Sequence, residues 1–332
     1  ILIYNIIDKD NMIKVLRNFP DMFTQSLELG DDVTFPKDFV DNIIVIGMGG
    51  SGYSGDLLKV YLNELPIQIH VVKSYNLPKF VGRKSLVFAI SYSGNTEETI
   101  SAYRTAIKRG CRVVSISSAG KLKELSELNK NPHITIPGGI QPRLSTPYLF
   151  ISMLNVLSYS GIIDDQESII KSCIKELESS KESIEENGKE LASKYKDKAP
   201  IIYSSQEMFC IAEKWKTDIN ENAKTHAFYN MFSEFNHNEI CAYQYNQDIF
   251  KPLILSFEDY HPRNKKRIEI FKKLLRGYKV PVVEIKFVGN SLLTRLFSSI
   301  WMSLFFAYYL AIGYDRDPTP VEIIEKLKVD LK

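Results

Sequence analysis

The chain has 332 residues, room for two domains of ordinary size, with 44% hydrophobic and 25% charged residues, the proportions of a folded globular protein. A formal net charge of +2 excludes any argument from charge for a nucleic-acid or anionic-membrane partner. Four scattered cysteines (Cys111, Cys173, Cys210 and Cys241) with no CxxC pair argue against structural zinc and a disulfide framework, and they fit a reducing, cytoplasmic setting.

The first 40 residues read as a polar, helical lead-in that packs on the first domain. The opening "ILIYNIIDKDNM" lacks a basic n-region and carries Asp8 and Asp10, so it does not read as a secretory signal. From Asn42 the pattern turns regular. "NIIVIGM" is a strand and "GYSGDLLKVYLNE" a helix; "IQIHVVKS" and "SLVFAISYSG" are strands, followed by the helix "NTEETISAYRTAIKRG". "RVVSISS" is a strand, "KLKELSELNKN" a short helix and "HITIPG" a fifth strand. Strands separated by helices mean a parallel α/β sheet, and continuous apolar runs suit strands buried on both faces.

A helix over residues 148–159 leaves this domain. Residues 162–198 are strongly charged, with Ile and Leu at helical spacing, and read as a helical connector. A second α/β pattern follows: strand "PIIYSS", a long helix over "MFCIAEKWKTDINENAKTH", strand "KPLILSFED", helix "NKKRIEIFKKLLRGY" and strand "VPVVEIKF". The apolar run "LFSSIWMSLFFAYYLAIGY" is about long enough to span a bilayer, but serines interrupt it and it reads as a core or interface helix. A short helix closes the chain. The expected domains are residues 41–160 and 199–332, joined by the connector 161–198, with a pseudo-repeat of topology between them.

Two motifs carry chemistry. Residues 47–52, Gly-Met-Gly-Gly-Ser-Gly, satisfy G-x-G-x-x-G, which alone is a weak sign of a dinucleotide site. Such a site also needs an acid at the end of the second strand to hold the ribose. That strand ends in Lys73 and Ser74, and Glu64 precedes it. The next strand ends in "AISYSGNTEET", which sets Ser91, Ser93, Asn95 and Thr96 just ahead of a helix. One serine is enough to cap a helix; several hydroxyls and free N–H groups at one helix N-terminus form a compact phosphate cradle. Glu97 and Glu98 in the first turn complement the helix dipole.

"SYSGNTEET" resembles the signature of sugar isomerase (SIS) domains. Together with "GMGGSGYSGD", "QPRLSTPY", "NENAKTHAFYNMFSEFNHNEI" and "DPTPVEIIEKLK" it resembles the archaeal and bacterial bifunctional phosphoglucose/phosphomannose isomerases, in order, from about residue 40 onward. The resemblance implies two SIS domains, each a doubly wound, flavodoxin-like parallel sheet with helices on both faces. It implies a homodimer that interconverts glucose 6-phosphate and mannose 6-phosphate with fructose 6-phosphate through a cis-enediol, with no metal and no organic cofactor.

Carried over residue by residue, the resemblance makes Gly50, Ser51, Ser91, Ser93 and Thr96 the phosphate cup. Glu221 becomes the base that moves a proton between C1 and C2; read from its neighbours Asn220 and Asn222 alone, it is a polar helix position. His237 opens and closes the ring and comes from the partner subunit, with His226 its competitor by sequence. Arg143 stands beside the enediolate. Thr319 leaves room and a hydroxyl for the C2 epimer. The C-terminal lysine is Lys328 or, two residues away, Lys326; two helical residues so spaced point about 200° apart. Arg316 and the Ser-Thr-Pro of "QPRLSTPY" depart from the family pattern. The rivals are another SIS isomerase (arabinose 5-phosphate or hexulose phosphate type), which would lack the "NENAK…NHNE" pair, and a sugar-phosphate-binding regulator, which would lack Glu221 and His237.

Overall fold

A computed structural model of the protein describes residues 6–245 and 247–331, so the first five residues of the lead-in lie outside the described residues. The chain divides into two compact units. One is Phe19–Lys175; the other joins the described residues up to Asn18 with those from Glu176 onward.

The Phe19–Lys175 unit is built on strands β1 (Asn42–Ile46), β2 (Gln68–Val72), β3 (Ser85–Ile90), β4 (Arg112–Ser117) and β5 (His133–Thr135). They form one parallel sheet in the order β2-β1-β3-β4-β5. Ile44 faces His70 on one side and Val87 on the other, so β1 is central and its carboxyl end feeds the glycine turn. All six residues of β3 are buried, as a strand covered by helices on both faces requires. Ile44, Val87, Ala89, Tyr103 and Leu122 belong to one packed core cluster. The helix Thr146–Tyr159 is buried from Thr146 through Leu157. Its Asn155 amide donates to the carbonyls of Ser26 (3.0 Å), Leu27 (3.1 Å) and Leu29 (3.0 Å), satisfying the frayed end of the helix Phe19–Ser26.

The other unit carries β6 (Ala199–Ser204), β7 (Phe228–Met231), β8 (Phe250–Phe257) and β9 (Val283–Phe287), all parallel, in the order β7-β6-β8-β9. The first four strands of each sheet therefore share one order, second-first-third-fourth, the flavodoxin-like winding that the family resemblance implies. The apolar helix Leu292–Gly313 runs through this unit, and 83% of its most apolar window is buried inside the protein. Trp301 Nε1 donates to the carbonyl of Leu16 (2.7 Å) and Trp215 Nε1 to Ser299 Oγ (3.0 Å). It is the core helix of a folded domain.

Three details differ from the pattern or sharpen it. The lead-in divides: Leu16 binds Trp301 in one unit, while Gln25 accepts from Tyr148 in the other (2.5 Å). The charged connector is mostly a single 29-residue helix, Glu167–Tyr195. The long helix expected through His226 is shorter. It is regular over Phe209–Asp218, widens into a π-turn over Ile219–Ala223, and stops at Lys224 in the left-handed region (φ 52°). Asn220 Nδ2 donates to the carbonyl of Thr225 (2.8 Å), a side-chain bond that competes with helix continuation. The strand β7 follows at once, unforeseen in the sequence.

Candidate functional site

The residues expected to form the phosphate cup lie in the Phe19–Lys175 unit, at the carboxyl ends of β1 and β3. After Ile46 the chain turns into the helix Gly49–Tyr61. A Cβ on Gly50 would meet the carbonyl oxygen of Pro142 at 2.9 Å and Arg143 Cα at 3.2 Å. The short 3₁₀ turn Pro142–Leu144 thus sits directly on the helix N-terminus, which only glycine permits. Arg143, 4% exposed, is an always-charged donor held beside that positive helix end; its Nη1 lies 3.5 Å from Gln141 Oε1. Ser51 is buried, and its Oγ accepts from the N–H of Tyr92 (3.2 Å).

At the end of β3, Ser91 Oγ and Thr96 Oγ1 share a hydrogen bond of 2.8 Å, and Thr96 occupies the N-cap position of the helix Glu97–Lys108 without a side-chain capping bond. Ser93 is exposed; its Oγ accepts from the N–H of Asn95 (3.3 Å). Gly94 turns this loop at φ 72°, where a Cβ would lie 1.7 Å from the carbonyl oxygen of Ala119. The structure thus brings Gly50, Ser51, Ser91, Ser93, Thr96 and Arg143 onto neighbouring loops at one end of one sheet. At the dinucleotide position, Lys73 pairs with buried Asp56 at 2.6 Å, so a cation stands where a ribose site needs an accepting carboxylate.

Sequence reasoning missed Tyr92. Its N–H donates to Ser51, its carbonyl accepts from Ser118 Oγ (2.7 Å), and its hydroxyl accepts from the N–H of Ile140 (3.1 Å). One side chain and its own peptide groups thereby fasten four loops of the cup. Burial raises its hydroxyl pKa, which keeps it a neutral partner. The only sequence signal was an aromatic between two serines at a strand end.

Glu221, His237, Thr319 and Lys328 all lie in the other unit. Glu221 is half-buried in the π-turn Ile219–Ala223, a helix defect frequent at functional sites. The turn starts from Asp218, which is buried, paired with buried Lys214, and accepts from Ser303 Oγ (2.5 Å). Thr319 is buried at 4% exposure, and its N–H donates to Asp317 Oδ1 (3.0 Å). His237 is exposed at the end of the 3₁₀ turn Phe235–His237. Phe235 anchors that turn, stacked 4.2 Å from the Tyr203 ring. Two residues on, Glu239 accepts from the Tyr203 hydroxyl and from Asn230 Nδ2 (2.6 Å). His226 is also exposed, its ring stacked with Phe228. Lys328 and Lys326 are both exposed on the helix Glu322–Asp330, with Lys328 Nζ 2.7 Å from Glu325 Oε1.

Family models match both units: the SIS domain over residues 40–155 and the bacterial phospho-glucose isomerase C-terminal SIS domain over residues 184–331. A bifunctional phosphoglucose/phosphomannose isomerase of Caldicellulosiruptor bescii is 38% identical, covering 96% of this chain and 98% of its own. The chain belongs to the bifunctional phosphoglucose/phosphomannose isomerase family. It is accordingly an aldose–ketose isomerase acting on sugar phosphates. The family protein of Aquifex aeolicus is 36% identical over 97% of this chain and 99% of its own. In fold alone, the chain matches a tagatose-6-phosphate ketose/aldose isomerase from Escherichia coli with a TM-score of 0.73 at 15% identity, covering 92% of this chain and 93% of that one. The resemblance read from the motifs and the doubly wound fold are both borne out.

Proposed function

We propose that this family member interconverts glucose 6-phosphate and mannose 6-phosphate with fructose 6-phosphate by proton transfer, without metal or organic cofactor. The observation that carries the reading is the hydroxyl-and-glycine cup with buried Arg143 against it, in a chain whose full-length relatives bear that activity in their names. The cup takes the phosphate through Gly50, Ser51, Ser91, Ser93 and Thr96. It offers hydroxyls and helix N–H groups to a dianion, which suits one phosphomonoester.

With the ring open, the Glu221 carboxylate removes the proton from one of C1 and C2 and returns it to the other, passing through a cis-enediol. Arg143 offsets the negative charge that develops on the enediolate oxygens. His237, contributed by the second subunit of a homodimer, and Lys328 handle the proton of the ring oxygen. Thr319 accepts either configuration at C2 because its side chain is small and its hydroxyl can bind.

The test is a coupled assay of the purified protein in EDTA, with glucose 6-phosphate and mannose 6-phosphate supplied separately and Glu221→Gln in parallel. Both sugars should turn over, and the variant should lose about 100- to 10,000-fold in kcat/KM, the range of a general base. Turnover of glucose 6-phosphate alone would remove the Thr319 argument. Full activity in Glu221→Gln would remove the base.

A further inference from the structure

Arg316 stands directly ahead of Asp317, Pro318 and Thr319. Its side chain is exposed but well fixed. Nη1 donates to the carbonyl of Ala223 (2.8 Å) and to that of Lys224 (3.0 Å), and the guanidinium carbon lies 4.7 Å over the ring of Tyr314. Those two carbonyls end the π-turn Ile219–Ala223. A helical segment leaves its last carbonyls without intrahelical donors and carries partial negative charge there, so a cation is doubly favoured.

The neighbouring contacts run in the same direction. Lys224, at φ 52°, folds its Nζ back onto the carbonyl of Asn222 (3.1 Å) and across to the carbonyl of Asp317 (2.5 Å). Asn220 closes the turn on Thr225. Asp317 in turn accepts from the N–H of Thr319. The segment 220–225 and the loop 316–319 are thus cross-linked by two bonds from Arg316 and one from Lys224. Glu221 sits inside the bracketed turn, and Thr319 sits at the end of the loop.

We propose that Arg316 is a positioning residue for the isomerisation: it clamps the turn bearing Glu221 to the loop bearing Thr319, so that the two move as one body. The proposal rests on the roles given above to Glu221 and Thr319. An arginine suits the task because one nitrogen serves two carbonyls while the flat guanidinium stacks on Tyr314; a lysine can make the bonds but not the stack. A carboxylate that must meet a C–H proton tolerates little displacement, and an error near 1 Å from a remote change costs about 100-fold.

The experiment compares Arg316→Ala, Arg316→Lys and Glu221→Gln in the full chain, with kcat and KM measured for both sugars. The alanine variant should lose about 100-fold in kcat with little change in KM, since substrate phosphate binding is untouched. The lysine variant should recover part of the loss, and so should added guanidinium ion in the alanine variant, but not in Glu221→Gln. A purely structural role predicts lower melting temperature without guanidinium rescue. Wild-type kcat in Arg316→Ala beside an inactive Glu221→Gln overturns the clamp and leaves the base in place. An active Glu221→Gln overturns the reading of the base, and the clamp with it. If the alanine variant does not fold, amide exchange of residues 220–225 in the folded lysine variant decides: faster exchange supports the clamp, and wild-type exchange overturns it.

Discussion

His133 illustrates how a half-buried imidazole is held by neighbouring hydroxyls. It opens β5, its Nδ1 lies 2.6 Å from Ser115 Oγ, and its Nε2 lies 3.4 Å from Ser117 Oγ. Burial, and then the charge of Lys123, lower its pKa from 6.5 to about 4. Between those two values the unfolded chain binds a proton that the folded chain refuses, so stability falls as pH drops through that window. We expect the melting temperature of the protein to decline from about pH 6.5 to 4, and a His133→Gln variant to show a shallower decline over the same range. Parallel pH profiles would exclude His133 as the source. At this scale the sequence was informative about residue type and silent about environment. Serines at a strand end announced hydroxyls ahead of a helix, but nothing in "AISYSGNTEET" said that Tyr92 would tie four loops together.

Two short elements decide what the site residues can do. In the first unit, the turn after β3 folds back so tightly that a Cβ at Gly94 would lie 1.7 Å from the Ala119 carbonyl oxygen. In the second, the helix Phe209–Asp218 passes into the π-turn over a buried ion pair of Lys214 with Asp218. Removing one partner of such a pair strands a charge and costs about 3–5 kcal/mol, whereas replacing both with apolar groups is far milder. Asp218→Ala should therefore lower the urea midpoint more than the double change Lys214→Met with Asp218→Leu. A double variant less stable than the single one would mean that the pair itself, not the stranded charge, stabilises the junction. Element existence was legible in the sequence because apolar periodicity is local. The π-turn and β7 were not, because Asn220 and Lys224 redirect the backbone through contacts with Thr225 and Asp317 that are made only in the folded chain.

At the scale of the molecule, the first four strands of each sheet run in the same order, second-first-third-fourth. Gly50, Ser51, Ser91, Ser93, Thr96 and Arg143 belong to one unit, and Glu221, His237, Thr319 and Lys328 to the other. The stretch around His237 also carries exposed aromatics: Tyr245 is 89% exposed and Phe228 47%. Apolar groups so placed favour cover by another chain, and the proposed homodimer is tested by mass. Light scattering on the eluting protein should give about twice the 38.1 kDa of one chain. A fully active species of single-chain mass would remove the partner-supplied histidine.

The sequence by itself determined the α/β class with its parallel strands, the glycine turn after β1 and the family, because strand and helix periods, glycine turns and ordered motifs are properties of neighbouring residues. Tertiary structure decided the rest. It seated the 3₁₀ turn of Arg143 on Gly50, buried Asp56 against Lys73, divided the lead-in between units, and bound Arg316 to the carbonyls behind Glu221. Each of these joins residues well separated along the chain, through backbone approach or a hydrogen bond, and such a contact leaves no periodic mark in the sequence that makes it.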